Sequence, residues 1–417
     1  MTVRRRAVIF GCMFAFFFVI FFRLALPSDE SPEQKIASRQ KRFPLVWEHI
    51  HQSSGHGGAW YIPPHWLPKG TPPPANITHA ATLAAAAADS APYHLSHTSI
   101  PRIIHQAWKS TNIEHFPAGA LPAVEAWLRY ATESEPEMAY FMWDDEGIFD
   151  LMGDAEPKLL YHFEALPQMV EKADVFRIVV CNSVGGVYGD IDTHPLRAPQ
   201  TWVDAQDIRP WTDTETNTVF ATTTNHEEPV KLIFGIEADT EEDSDTYWRH
   251  GYHYPVQLTQ WALAGAANHP VLNRFLANFR KHMDAVTFGA TSEDGNISQE
   301  AAMQKLDPIM LTGPAAVTEA TKNYLAEKAS LRWQALSGLQ DGGRTKLVLD
   351  TLILPITGFS PGRGKINNMG SKPFSDPAAR LRHDAQGSWK HFDIMVELGK
   401  TCRTLFGGCR DWSTVPG

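Results

Sequence analysis

Residues 184–193 read Val-Gly-Gly-Val-Tyr-Gly-Asp-Ile-Asp-Thr, "VGGVYGDIDT". Strand-forming residues follow a glycine pair and close on two carboxylates, Asp190 and Asp192, one residue apart. Side chains alternate along an extended chain, so both acids are expected on one side of a strand end. Like charges so placed raise each other's pKa unless a cation sits between or beside them. A bare D-x-D is also what a solvated turn or an exposed edge strand looks like. The flanks favour a site. Thr193-His194-Pro195 ends the run, which puts the acids at a strand's carboxyl end, where open α/β sheets bind ligands. Hard oxygen ligands there suit Mg2+ or Mn2+ held together with substrate phosphates.

The segment just upstream, "PQMVEKADVFRIVVCNSVG" (167–185), has a helical pattern closed by the two glycines. Asp174 and Arg177 lie three apart on it and share a face among core-forming neighbours. They read as a structural ion pair, or as polar groups aimed at the Asp190 end with planar donors for sugar or phosphate. Farther out, "IPRIIHQAW" (100–108), "EMAYFMW" (137–143), "TVFATTT" (218–224), "KLIFGIEA" (231–238) and "KLVLDTLILPIT" (346–357) read as strands. Helical patterns cover 121–132, a segment capped by Asp144, 256–283 and 314–329. Strands alternating with helices over some 300 residues predict an α/β domain with a mostly parallel central sheet flanked by helices.

The chain ends differently from how it begins. Arg4-Arg5-Arg6 precede sixteen apolar residues, 7–22, and then Arg23. Basic residues before the run put the amino terminus in the cytosol. The reading is a cytosolic tail over 1–6 and an uncleaved signal-anchor helix over 7–26, with a cleaved signal peptide as the rival. Residues 27–98 are rich in Pro, Gly and Ala and read as a luminal stem or linker, with one short helix at 82–88. Residues 99–417 would form the catalytic domain. Asn76-Ile77-Thr78 and Asn296-Ile297-Ser298 are N-glycosylation sequons. Cys402 and Cys409 either form a small disulfide loop or stay free. With 47 Asp and Glu against 37 Lys and Arg, a net charge of −10, nucleic acid is not an expected partner.

"IPRIIHQAW", "KADVFRIVVCNSVGGVYGDIDT", "FGIEAD", "LTGP" and "GFSPG…HDAQGSWK" occur in this order over about residues 99–392. Together they resemble the fungal initiation-specific α-1,6-mannosyltransferase family, part of a wider group of D-x-D sugar transferases. The resemblance implies a GT-A-type nucleotide-sugar-binding fold, a nucleotide-sugar donor, a divalent metal (Mn2+ favoured over Mg2+) and retention at the anomeric carbon. It implies Asp190, Asp192 and His383 as metal ligands, with Asp174, Arg177 and Asp190 on the donor sugar. It also implies Ile104, His105 and Gln106 near the donor's base and ribose, and Ser388, Trp389 and Lys390 near its diphosphate. Glu237, Asp239 and Trp261 would lie on the acceptor side, where Trp261 either stacks on a sugar or packs its own loop. Two stretches depart from the family pattern: "YGDID" stands where "YSDID" is common, and 210–232 differs in length.

The expectation is a Golgi type II membrane enzyme that moves mannose from GDP-mannose to a glycan, in α-1,6 linkage on an N-glycan core or mannan. A complex with other mannosyltransferases is an expected partner set. The alternatives are another retaining transferase with a different donor or an inositol-phosphoceramide acceptor, and a non-catalytic subunit of a mannan-polymerising complex.

Overall fold

The computed structural model describes residues 31–117, 119–221, 230–289, 307–363, 369–385 and 394–409. The proposed tail and anchor (1–26), Asn296, Ser388, Trp389 and Lys390 lie outside these residues. No helix among the described residues is long and apolar enough to cross a membrane.

The chain divides into two units, Met1–Pro44 and Leu45–Gly417. In the first, the described part is the helix Pro32–Arg42, started by a capping box between Ser31 and Gln34.

The second unit is built on a ten-stranded sheet. In chain order the strands are β1 (Ser54–Gly55), β2 (Gly58–Tyr61), β3 (Ile103–Ala107), β4 (Ala139–Trp143), β5 (Gly186–Gly189), β6 (Thr193–Pro195), β7 (Trp211–Thr212), β8 (Val219–Phe220), β9 (Leu232–Asp239), β10 (Val256–Leu258), β11 (Ala262–Gly265), β12 (Lys346–Val348), β13 (Thr351–Leu354) and β14 (Leu381–His383). The sheet order is β1-β2-β4-β3-β5-β11-β9-β13-β12, with β10 also paired to β9. β3 runs parallel to β4 and to β5, and β13 runs parallel to β9. β11 is antiparallel to both β5 and β9. Hence β4, β3, β5, β9 and β13 all point one way, and their carboxyl ends share one edge. β6 and β14 form a separate two-stranded ribbon, as do β7 and β8.

Strands β4, β5 and β9 are buried at every position. That is the mark of strands covered on both faces. The helix Met169–Ser183 packs beside them, capped by Gln168 and Glu171. It hands the chain to β5 through Gly185 (φ +76°) and Gly186 (φ +119°). A Cβ on Gly186 would meet the Ile103 carbonyl at 2.5 Å, so only glycine lets β5 lie this close to β3.

Three expectations are corrected. Residues 45–98 are not a linker. β2 pairs with β4, and the helix Ile77–Ser90 buries Ala80, Ala81, Ala84 and Ala88 completely. Alanine spaced on one helix face packs tightly but gives little apolar signal. The helix expected over 256–283 is instead β10, β11 and the helix Pro270–Gly289. Burial on both faces removes the alternation that would have marked those two short strands. "TVFATTT" contributes only Val219–Phe220, the rest falling largely on residues outside the description. Cys402 and Cys409 are disulfide-bonded, while Cys181 is buried and free.

Candidate functional site

The two acids of the opening stretch do not lie in a strand. β5 ends at Gly189, and Asp190–Thr193 form a turn in which the Thr193 N–H donates to the Asp190 carbonyl at 2.9 Å. The turn, not strand alternation, brings the acids together. It is braced on every side. The Thr193 hydroxyl donates to the Asp190 carbonyl at 2.5 Å, and the Trp127 indole donates to the Thr193 carbonyl at 2.9 Å. The Gln106 amide reaches the carbonyls of Gly189 (3.4 Å) and Asp190 (3.3 Å), and Tyr140 fixes that amide from behind at 2.8 Å. The Asp190 N–H donates to the Trp261 carbonyl at 2.8 Å. A Cβ on Gly189 would lie 2.7 Å from the Trp127 ring, so glycine at this position matches that tryptophan.

Asp190 Oδ1 takes two donors, Arg177 at 3.0 Å and the Tyr188 hydroxyl at 2.9 Å. The other arm of Arg177 pairs with Asp174 at 2.7 Å. The second Asp174 oxygen accepts from Thr312 at 3.3 Å, and Gln260 ties the Asp174 and Thr312 carbonyls together. Thus Asp174 and Arg177, expected to grip a sugar, are engaged chiefly with each other and with Asp190. Burial pushes the Asp174 carboxyl up to about 7 against the pull of Arg177. Burial also raises Asp190; Arg177 opposes this and Asp192 adds to it.

On the far side of the turn, His383 at the end of β14 stands 3.5 Å from Asp192. The Asp384 N–H donates to the Asp192 carbonyl at 3.0 Å, joining the β6–β14 ribbon to the turn. One ligand atom each from Asp190, Asp192 and His383 falls within 4.8 Å of the others. The three side chains remain 25%, 17% and 18% exposed, so the cluster is open to a ligand. Two carboxylates and an imidazole make a mixed oxygen and nitrogen donor set that fits a divalent cation. The stacked Trp261 ring, 4.5 Å from the His383 ring, sets the imidazole's plane.

Other expected residues fall elsewhere. Ile104, His105 and Gln106 are fully buried in β3. His105 is held at both nitrogens, by the Gly185 carbonyl (2.9 Å) and the Trp143 indole (3.2 Å), and burial lowers its pKa to about 4. It is a neutral strut under the glycine pair; direct donor contact from these side chains does not fit. Trp261 is 9% exposed and covered by His383 and by the Arg363 guanidinium at 5.2 Å, so it packs rather than offering a sugar platform. Asp239 receives the Gly338 N–H at 2.8 Å and faces Ser337 and Lys346. Asn76 caps its helix by accepting from the His79 N–H at 2.8 Å. Sequence reading missed Tyr188, Gln260 and Thr312 as braces, although Thr312 stands in the "LTGP" motif.

Residues 123–209 match the family described as "Glycosyltransferase sugar-binding region containing DXD motif". The chain is 29% identical over 310 residues to the initiation-specific alpha-1,6-mannosyltransferase of Schizosaccharomyces pombe, covering 72% of this chain and 65% of that protein. It is 25% identical over 317 residues to the Candida albicans protein of the same name, covering 72% and 74%. Among solved structures, the "PaToxG Glycosyltransferase" aligns at a TM-score of 0.28 and 14% identity, over 61% of this chain and 78% of that one. The two yeast relatives carry the name of the family that the ordered motifs resemble.

Proposed function

We propose that this chain, which carries the DXD sugar-binding region of the glycosyltransferases over 123–209, is a retaining mannosyltransferase that moves mannose from GDP-mannose to a glycan. The observation that carries the reading is the convergence of Asp190, Asp192 and His383 within 4.8 Å at the sheet edge. Those three residues would hold a divalent cation, and the imidazole among hard oxygens favours Mn2+ over Mg2+. A cation held by them would supply charge neutralisation for the departing nucleoside diphosphate.

The chain's own groups do the rest. Arg177 and Tyr188 fix Asp190 on one oxygen, and Asp174 holds the Arg177 guanidinium in place beside it. The braced turn keeps Asp192 at its post without reorganisation, which is how preorganised charge lowers a barrier. The basic–apolar segment at 4–23 supports a single-pass anchor, which we place in a Golgi membrane, and the relatives' names support an α-1,6 linkage, which we place on an N-glycan or mannan.

The test uses the full-length chain in detergent with GDP-mannose, UDP-glucose, UDP-galactose or UDP-N-acetylglucosamine, and a high-mannose glycan. Mannose transfer that requires Mn2+, stops with EDTA and is lost in Asp192→Ala supports the reading. Turnover of a UDP-sugar alone contradicts the donor, and transfer only to inositol-phosphoceramide contradicts the acceptor.

A further inference from the structure

β9 carries a second pair of acids at its carboxyl end, Glu237 and Asp239, and they part company. In the β9–β10 register Asp239 faces Val256, Ala238 faces Gln257 and Ile236 faces Leu258. Glu237 has no opposite number: it is the extra residue of a β-bulge, a device that re-aims a side chain. Asp239 stays with Gly338 and Lys346. Glu237 joins another group, bonded to the Gln257 amide and within electrostatic reach of Arg363, His383 and His253.

That group is built but incomplete. The Gln257 carbonyl oxygen accepts from the His253 N–H at 2.8 Å, which leaves the amide nitrogen for Glu237. The His253 Nε2 pairs with Asp307 at 2.9 Å. Arg363 is bonded to the Tyr252 hydroxyl. Yet Glu237 is 91% buried by its 9% exposure, and its Oε2 has no hydrogen-bond partner among the described residues; nor has His253 Nδ1. An orphaned buried carboxylate oxygen keeps the full desolvation penalty of the group, so a bulge that creates one calls for a partner. Strand direction says where that partner would sit. β5 and β9 end on the same edge with β11 between them, so the Asp190 and Glu237 backbones are about two strand spacings apart, roughly 10 Å.

We propose that Glu237 is the acceptor-binding residue of this site. Its Oε2 accepts from one hydroxyl of a saccharide terminus while Arg363 donates to the neighbouring oxygen. A carboxylate and a guanidinium side by side match a pair of adjacent hydroxyls. The Asp307–His253–Gln257 chain holds the carboxyl in place. The inference rests on the transferase reading above and names its acceptor as a neutral vicinal diol.

The experiment compares acceptors and variants together. Full-length chain, GDP-mannose and Mn2+ are assayed with a mannobioside and its monodeoxy analogues. In the wild type, removing one particular hydroxyl should lower kcat/KM by about 100-fold, the loss expected of one hydrogen bond to a charged group. In Glu237→Ala the same removal should cost less than about 3-fold, because the partner is already gone, and in Glu237→Gln, whose amide makes only a neutral hydrogen bond, it should cost less than in the wild type. Glu237→Gln keeps the shape if Glu237→Ala does not fold. Equal penalties in wild type and Glu237→Gln at every position overturn the role of Glu237. If the wild type uses no nucleotide sugar at all, the transferase reading fails instead, and this inference with it.

Discussion

Asp190–Asp192 and Glu237–Asp239 look alike in sequence: acid, one residue, acid, at the end of a buried strand. The structure treats them oppositely. The first pair leaves its strand for a tight turn, and its carboxylates converge with His383 within 4.8 Å. The second stays in its strand, and a bulge splits it, Glu237 toward Arg363 and His383 and Asp239 toward Gly338. Spacing alone therefore does not decide whether two acids make a site. Backbone geometry does, because a turn or a single inserted residue changes where a carboxylate goes.

The largest effect tests the convergent side. Arg177 is buried between Asp174 and Asp190, so Arg177→Ala leaves two acids without their cation. Stability should fall by about 3–5 kcal/mol, read as a drop in Tm or denaturation midpoint. A variant as stable as the wild type would mean that Asp190 does not depend on this pair.

Asp239 should behave in the reverse sense. Burial raises its carboxyl from 3.8 to about 6. A raised acid keeps its full contribution to stability below the unfolded pKa and loses it as pH rises through the folded one. Wild-type stability should therefore decline between about pH 4 and 6. Asp239→Asn should remove that decline and be more stable at pH 7.5 by about 1–3 kcal/mol. Chemical denaturation at pH 4 and 7.5 checks it; a variant less stable at pH 7.5 would make Asp239 more than a buried structural acid.

A smaller effect sharpens the turn. Thr193→Val keeps the volume but removes the hydroxyl that donates to Asp190. It should cost about 1 kcal/mol of stability and weaken Mn2+ binding about 10-fold, as loss of an outer support does. Unchanged Mn2+ affinity would show that the turn holds without it.

Much of this was legible in sequence. Gly185-Gly186, the strand before Asp190, the Asp144 cap and the helix bearing Arg177 are local signals, and each stands where it was read. His383, 191 residues from Asp192, came only from the family resemblance, yet it falls within reach of that acid. What stayed hidden depends on contacts distant in the chain. The alanine face of Ile77–Ser90 becomes core only because β2 and β4 lie beside it. β10 and β11 lack alternation because both faces are covered. His105 is placed near the donor by the family resemblance alone; its two hydrogen bonds to Gly185 and Trp143 satisfy it inside the sheet. The bulge at Glu237 has no sequence signature, since the extra residue is defined by the partner strand.

The most direct test of the account is Mn2+ binding to the full-length chain in the presence of GDP, followed by electron paramagnetic resonance. The account predicts one bound Mn2+ per chain, weakened at least about 100-fold by Asp192→Ala and unchanged by Asp239→Asn. Equal Mn2+ binding by wild type and Asp192→Ala would contradict the claim that the turn at Asp190–Thr193 builds the metal centre.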